Sequence, residues 1–294
     1  MRLKQVSRKV IRKIIGSREK ESWGDTLNRK KICIEKIFNK KKFSKQDLRE
    51  TFVRAGVRKG MDVFIHSAWR QFYNFEGKPE DVISILEDLV GTNGTILMPA
   101  NGETTKFLDV QNTPSHAGVI TEIFRSQNKT IRSSSTHFPI TARGKNAKEL
   151  LGEHIKSIYG FDEYSPLYKL AQKENSMILF LGLSSTPTKI SLFHCAGYAI
   201  KEYSPFLKHN VYTERYHSTL VVNGKMIEKD MVNRNPKYKN DNKVFKHIFN
   251  SLNSKEQVQI SNLDVVSINA KEGLQVAIEY GLKGQYCYKL NKFV

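Results

Sequence analysis

The chain has 294 residues, 39% of them hydrophobic, enough for one large α/β domain or two smaller ones. Forty-eight Lys and Arg stand against 29 Asp and Glu, a net +19, and residues 1–50 hold 17 basic and 6 acidic side chains, a net +11. Such a field favours anionic partners and disfavours a polycationic substrate, no apolar run nears the roughly 18 residues of a membrane span, and Cys33, Cys195 and Cys287 have no metal-like spacing.

In chain order, residues 2–15 (RLKQVSRKVIRKII) put Leu3, Val6, Val10 and Ile14 on one helical stripe among Arg and Lys. That pattern suits a helix lying on an anionic membrane surface, and equally one docked on its own domain or on a dimer partner. The basic start lacks the apolar stretch of a signal peptide, so the chain reads as cytoplasmic, with peripheral contact at the inner face of the membrane an expectation. No RRM, KH, zinc-finger or helix-turn-helix signature is present, so nucleic acid is not an expected partner. A second apolar stripe (Leu27, Ile34, Ile37, Phe38) precedes the lysine run 40–42.

From residue 44 the pattern becomes regular. Ser44 and Asp47 read as a helix cap, with Leu48, Phe52 and Val53 as the apolar face. GMDVFIHS is a buried strand, Pro79 opens a helix through Val90, GTNG turns, and TILMP is a second strand. Strand, helix and strand at these lengths make a βαβ unit and hence a parallel sheet. TPSHAGVITEIFR opens another helix at Pro114 or Ser115, and SMILFLGL (176–183) is a fully buried strand, followed by a polar loop and a helix carrying His194. TLVVNGKMIE is a hairpin through Asn223-Gly224. The stretch 229–243 is too polar for core and reads as a long loop, after which two short helices and a last strand, GQYCYKL, close the chain.

In an open α/β sheet ligands gather at the carboxyl ends of the strands. HSAWRQF, LDVQNTPSHAG and the helix start at 184–194 are such places, and RSSSTHFPITARG is a fourth polar cluster around His137. Ser115 would present a helix N-terminus, a ready phosphate site, although Thr113 and Ser115 serve equally well as helix caps. His66, at the end of a buried strand, is more readily a core histidine than a catalyst. Neighbouring helical residues point about 100° apart, so Cys195 cannot be a nucleophile activated by His194 and is most simply a small buried residue.

Together the blocks SKQDLRETFVRAGVRKGMDVFIHSAWRQF, PEDVISILEDLVGTNGTILMPA, LDVQNTPSHAGVITEIFRS, GFDEYSPLYKLA and ILFLGL…SLFHCA resemble the aminoglycoside 3-N-acetyltransferase family in order and spacing, over about residues 44–290. The resemblance implies an α/β fold distinct from the GNAT acetyltransferases. A central, mostly parallel sheet would be flanked by helices, with a smaller β-hairpin and helical lobe in the C-terminal third. Residues 1–43 would form a basic helical extension and 44–294 the acyltransferase domain. It further implies direct transfer of an acetyl group from acetyl-CoA (or another acyl group from its acyl-CoA) to an amine, with no metal. The family's Thr/Ser–Leu–x–His–x–x–Glu pattern falls on SLFHCAG, which makes His194 the general base. Here Gly197 stands where the family has glutamate, and His137 falls one place before the expected histidine.

An amine must lose its proton to attack a thioester, and a histidine suits that task near neutral pH. By resemblance, His194 and His137 are the catalytic candidates. His66, Ser67, Thr113, Pro114, Ser115 and Gly118 would line the coenzyme A side, and Asp109, Ser191 and Glu202 the acceptor. The charge and the missing glutamate turn the expectation toward an amino sugar, nucleotide- or lipid-linked, in cell-surface polysaccharide biosynthesis. The alternatives are aminoglycoside acetylation conferring antibiotic resistance, and a non-catalytic relative that binds coenzyme A or glycan. A homodimer is a further expectation.

Overall fold

The computed structural model describes residues 23–188 and 190–291, so the basic stripe expected over residues 2–15 lies outside the described residues. The chain divides into two compact units, residues 1–42 and 43–294. In the first, helix α1 spans Trp23–Phe38. Leu27, Ile34, Ile37 and Phe38, grouped by the sequence into a stripe, are all exposed on it.

The second unit begins with α2 (Lys45–Arg54), whose Ser44 and Asp47 cap each other's backbone N–H groups as expected. Its buried face is Leu48, Thr51 and Phe52, while Val53 turns outward, because one residue rotates the helix by about 100°. Strand β1 (Asp62–Ser67), α3 (Pro79–Val90) and β2 (Thr95–Pro99) form the expected βαβ unit, with β1 and β2 parallel. Short β3 (Phe107–Asp109) leads to α4 (Val119–Ser126). That helix starts four or five residues later than the sequence suggested. The Ser115 N–H is turned onto the Glu122 carboxylate at 2.7 Å, and Gly118 at φ +130° breaks any earlier helical run.

Next come β4 (Ile131–Arg132), β5 (Ile140–Gly144), α5 (Ala147–Leu151), α6 (Pro166–Leu170) and the fully buried β6 (Ser176–Leu181). Helix α7 (Leu192–Ala199) carries His194, and β7 (Glu214–Val222) and β8 (Lys225–Asn233) form the hairpin. Asn223 and Gly224 take the positive φ of its turn. Beyond it are β9 (Tyr238–Asn240), α8 (Asn242–Ser251), β10 (Glu256–Ile260), β11 (Leu263–Asn269), α9 (Ala270–Leu282) and β12 (Tyr288–Leu290). The stretch 229–243 is therefore not a long loop. It holds the end of β8, all of β9 and the start of α8. Its strands belong to small ribbons with a solvent-facing side, so their side chains are polar while the backbone is paired. Strands β10 and β11 were likewise not expected, and add an antiparallel flank to the sheet.

The main sheet has the order β10-β11-β6-β1-β2-β5-β4, with β2, β1 and β6 parallel at its centre. Alternation along β1 divides the core between its two faces. Val63 and Ile65 pack with Leu48, Phe52, Leu86 and Phe124, whereas Phe64 packs with Phe180, Phe193, Phe245 and Leu274. Smaller sheets, β3-β7-β8 and β12-β9, lie outside this sandwich, and they bring the C-terminal third to the face that carries α7.

Candidate active site

Helix α7 presents one polar stripe. Ser191, His194 and Tyr198 stand at intervals of three and four residues and so share a face, while Leu192, Phe193, Cys195, Ala196 and Gly197 are buried behind them. The stripe borders a cavity of about 270 Å³. The loop between β4 and β5 supplies His137 and Phe138, the turn after Ser157 supplies Tyr159, Gly160 and Phe161, and β8 ends there with Val232, Asn233 and Arg234. Tyr212, Asn240 and Tyr288 complete the wall.

Each wall is held by identifiable contacts. Buried Asp162 accepts hydrogen bonds from the Ser157 hydroxyl (2.5 Å) and the N–H groups of Ile158, Tyr159 and Tyr164 (2.9, 3.0 and 3.2 Å), which folds the Tyr159–Phe161 turn. Burial raises its carboxyl pKa, and these donors oppose the rise. The Val232 N–H donates to the Ile158 carbonyl at 3.0 Å, tying the end of β8 to that turn. The antiparallel pairing of β12 with β9 sets Tyr288 opposite Asn240, so two distant segments meet at the cavity. Below the His137 loop, the Ser133 hydroxyl accepts from the Ile140 N–H at 2.8 Å and lies 2.8 Å from Nδ1 of the fully buried His154.

Nδ1 of His194 lies 2.8 Å from the Tyr288 hydroxyl, which lies 3.2 Å from that of Tyr212. Nδ1 of His137 lies 3.2 Å from the Tyr216 hydroxyl. Phe161 stands between the two histidines, its ring centroid 5.8 Å from that of His137 and 5.1 Å from that of His194. Gly160 packs so closely on His137 that no Cβ would fit. Burial, with the charge of Arg234 added, pushes His194 down to about 3 and His137 to about 4. Burial likewise holds the phenols of Tyr212 and Tyr288 well above their ordinary range. Near neutral pH the lining therefore offers two uncharged imidazoles and protonated hydroxyls. Cys195 is buried and its thiol is pushed far up, so it is packing, as the sequence suggested.

Of the predicted site residues, His137, Ser191 and His194 meet in this cavity. His66 ends β1 with its ring stacked on Phe180 (5.4 Å) and edge-on to Phe64 (4.9 Å), and burial pushes it to about 4. Ser67 and the Thr113–Gly118 segment meet elsewhere, at the carboxyl end of β1, where a Cβ on Gly118 would lie 3.8 Å from the Ser67 carbonyl. Arg132 donates to the carbonyls of Ala100 and Thr113, with Pro114 following directly. The N–H groups of Ser115, His116 and Ala117 are engaged by Glu122, Asn101 and the Ser115 hydroxyl. Asp109 closes its own turn, accepting from the N–H groups of Gln111 and Asn112. Glu202 is exposed and paired with Lys201 and Lys208. Neither carboxylate lines the cavity. Sequence reasoning missed Arg234, Asn240, Tyr212 and Tyr288. The available signal was the tyrosines near the C-terminus, which only strand pairing brings to His194.

A profile described as aminoglycoside 3-N-acetyltransferase matches residues 64–281. The SPbeta prophage-derived aminoglycoside N(3')-acetyltransferase-like protein YokD of Bacillus subtilis (strain 168) is 30% identical over 182 residues, 53% of this chain. The match spans 65% of that relative, just under two thirds of its length. Among solved structures, AAC-IIIb in binary complex with CoASH superposes with a TM-score of 0.71 at 18% identity, covering 84% of this chain and 98% of that one. Aminoglycoside acetyltransferase AAC(3)-Xa gives 0.72 at 16% identity, covering 89% and 99%. The fold is thus the one these acetyltransferases share.

Proposed function

Because the chain belongs to the aminoglycoside 3-N-acetyltransferase family, we propose that it transfers the acetyl group of acetyl-CoA to an amine of a small amino sugar. The amine nitrogen attacks the thioester carbonyl, a C–N bond forms and the C–S bond breaks. The amine proton passes to Nε2 of His194 and from there to the departing thiolate. The observation that carries this reading is the seating of His194, which faces the cavity with Nδ1 tied back to Tyr288. With Nδ1–H donating to the Tyr288 oxygen, the Nε2 lone pair is the one turned to the acceptor.

His137 would hold an acceptor hydroxyl or amine across the cavity, and Ser191 would add a hydroxyl contact. The donor side would lie at the carboxyl end of β1, with Ser67 as an oxyanion donor and His66, Thr113, Pro114, Ser115 and Gly118 framing coenzyme A. Since the three N–H groups before Gly118 are engaged, backbone contact with its phosphates falls to Gly118 and the first turn of α4.

Aminoglycosides, named in the descriptions of the family and its relatives, are the first acceptors to test. They have more support than the role in surface polysaccharide biosynthesis, the nucleotide- or lipid-linked acceptor and the membrane contact expected from sequence, none of which any comparison supports. The test is release of coenzyme A thiol, with mass-spectrometric detection of product, on a panel of aminoglycosides and single-ring amino sugars. Acetylated product that disappears in His194→Ala supports the reading. No release above the protein-free rate with any acceptor would leave the non-catalytic relative in its place.

A further inference from the structure

The cavity lining contains a guanidinium and no carboxylate. Arg234, at the end of β8, is half-buried, donates to the Asn240 side-chain oxygen and lies 5.6 Å from the centroid of the Tyr288 ring. Among the described residues it has no ion-pair partner. Beside the lining, Asp162 is taken up by its four donors and Asp241 by Lys289, while Glu163 lies against Tyr198. Lys201, 4.6 Å from the Tyr198 ring centroid, is paired with Glu202 and adds no free charge.

A polycationic acceptor needs carboxylates, and here it would set its ammonium groups against an uncompensated guanidinium. A planar guanidinium with free donors instead matches the two oxygens of a carboxylate or phosphate. The volume of about 270 Å³ lies just under the roughly 300–1,000 Å³ of sites for drug-sized ligands, which suits one sugar ring better than several. We propose that the acceptor is a single-ring amino sugar bearing one anionic group, and that Arg234 pairs with that group while the amine faces His194. The proposal rests on the acetyl-transfer reading of the same cavity and narrows its substrate class.

The test combines equilibrium binding with turnover on the intact chain. The probes are glucosamine, glucosamine 6-phosphate, glucosaminuronic acid and a multi-ring aminoglycoside. The anionic sugars should bind at least tenfold tighter than glucosamine, and whichever leads identifies the source of the charge as phosphate or carboxylate. Arg234→Gln should remove that preference by raising the acceptor KM with little change in the KM for acetyl-CoA. Arg234→Lys should keep part of it, and Arg234→Glu should turn it toward glucosamine and the aminoglycoside. Since Arg234 also braces Asn240, the reversed preference in the Glu variant separates recognition from a folding defect. Arg234-dependent binding without turnover would sink the transfer reading and leave the anion site standing. Equal turnover on neutral, cationic and anionic acceptors, unaltered in Arg234→Gln, would overturn the anion site and leave transfer intact.

Discussion

Gly197 and Tyr212 share one space, since a Cβ added to Gly197 would run into the Tyr212 hydroxyl. That hydroxyl lies 3.2 Å from Tyr288, which in turn lies 2.8 Å from Nδ1 of His194. Where the sequence pattern leads one to look for a glutamate, the chain has a glycine because a phenol from another segment occupies the site. Gly197→Ala should therefore destabilise the protein by about 1–3 kcal/mol through overpacking, despite the ~1 kcal/mol of helix propensity it gains. In a Tyr212→Phe background the loss should shrink. A denaturant-based double-mutant cycle measures the coupling, and strictly additive losses would show that the two residues do not compete for this space.

The Tyr288 hydroxyl lies 2.8 Å from Nδ1 of His194 and orients that ring. Tyr288→Phe should cut kcat about 10- to 100-fold while leaving the KM for acetyl-CoA unchanged, and His194→Ala should remove the roughly 10²–10⁴ expected of a general base. Steady-state kinetics on both variants decide the matter. An unaltered kcat in Tyr288→Phe would show that the imidazole needs no partner at Nδ1.

Burial holds four histidines uncharged, His66 and His137 near 4 and His154 and His194 near 3. In the unfolded chain they take up protons near 6.5. Between that value and about 3–4 the unfolded state binds more protons, so stability falls as pH falls. Melting temperature should decline steadily below about pH 6.5. His154→Asn should flatten that decline by up to ~1.4 kcal/mol per pH unit, and an unchanged slope would remove His154 from the acid response.

The same depression shapes the rate profile. A base at about 3 is already neutral at pH 6, so the acid side of kcat/KM should follow the acceptor amine, near 8 for an unperturbed α-amino group. A break between pH 6 and 7 that vanished in His194→Ala would contradict this assignment.

Asp162 organises the turn carrying Gly160 and Phe161 to the cavity. Asp162→Ala leaves the Ser157 hydroxyl and three backbone N–H groups without their acceptor, and should cost about 2–3 kcal/mol in chemical denaturation. It should also raise the acceptor KM more than the KM for acetyl-CoA. Equal changes in both would place the turn's influence beyond the acceptor side.

Much of this was legible along the chain because the deciding forces are local. The Ser44–Asp47 cap, Pro79 at a helix start and the unbroken apolar runs of β1, β2 and β6 act over a few residues. Five blocks in register were enough to indicate the family. Val53, the start of α4 and the stretch 229–243 were misjudged where a side chain's partner lies far away. Glu122 redirects the Ser115 N–H, and half-exposed ribbons look like loop because paired backbone leaves no mark on side-chain hydropathy.

By itself, then, the sequence determined the βαβ core and the family, and set His194 on a helix after the last buried parallel strand. Tertiary structure alone decided what surrounds His194, because the residues that do so come from segments far apart in the chain. The register of β12 on β9 brings Tyr288 beside Asn240, the bridge from Val232 to Tyr159 carries Arg234 inward, and the glycine at 197 leaves room for Tyr212. Each depends on which strand pairs with which, a long-range choice set by packing and backbone hydrogen bonding rather than by any local pattern.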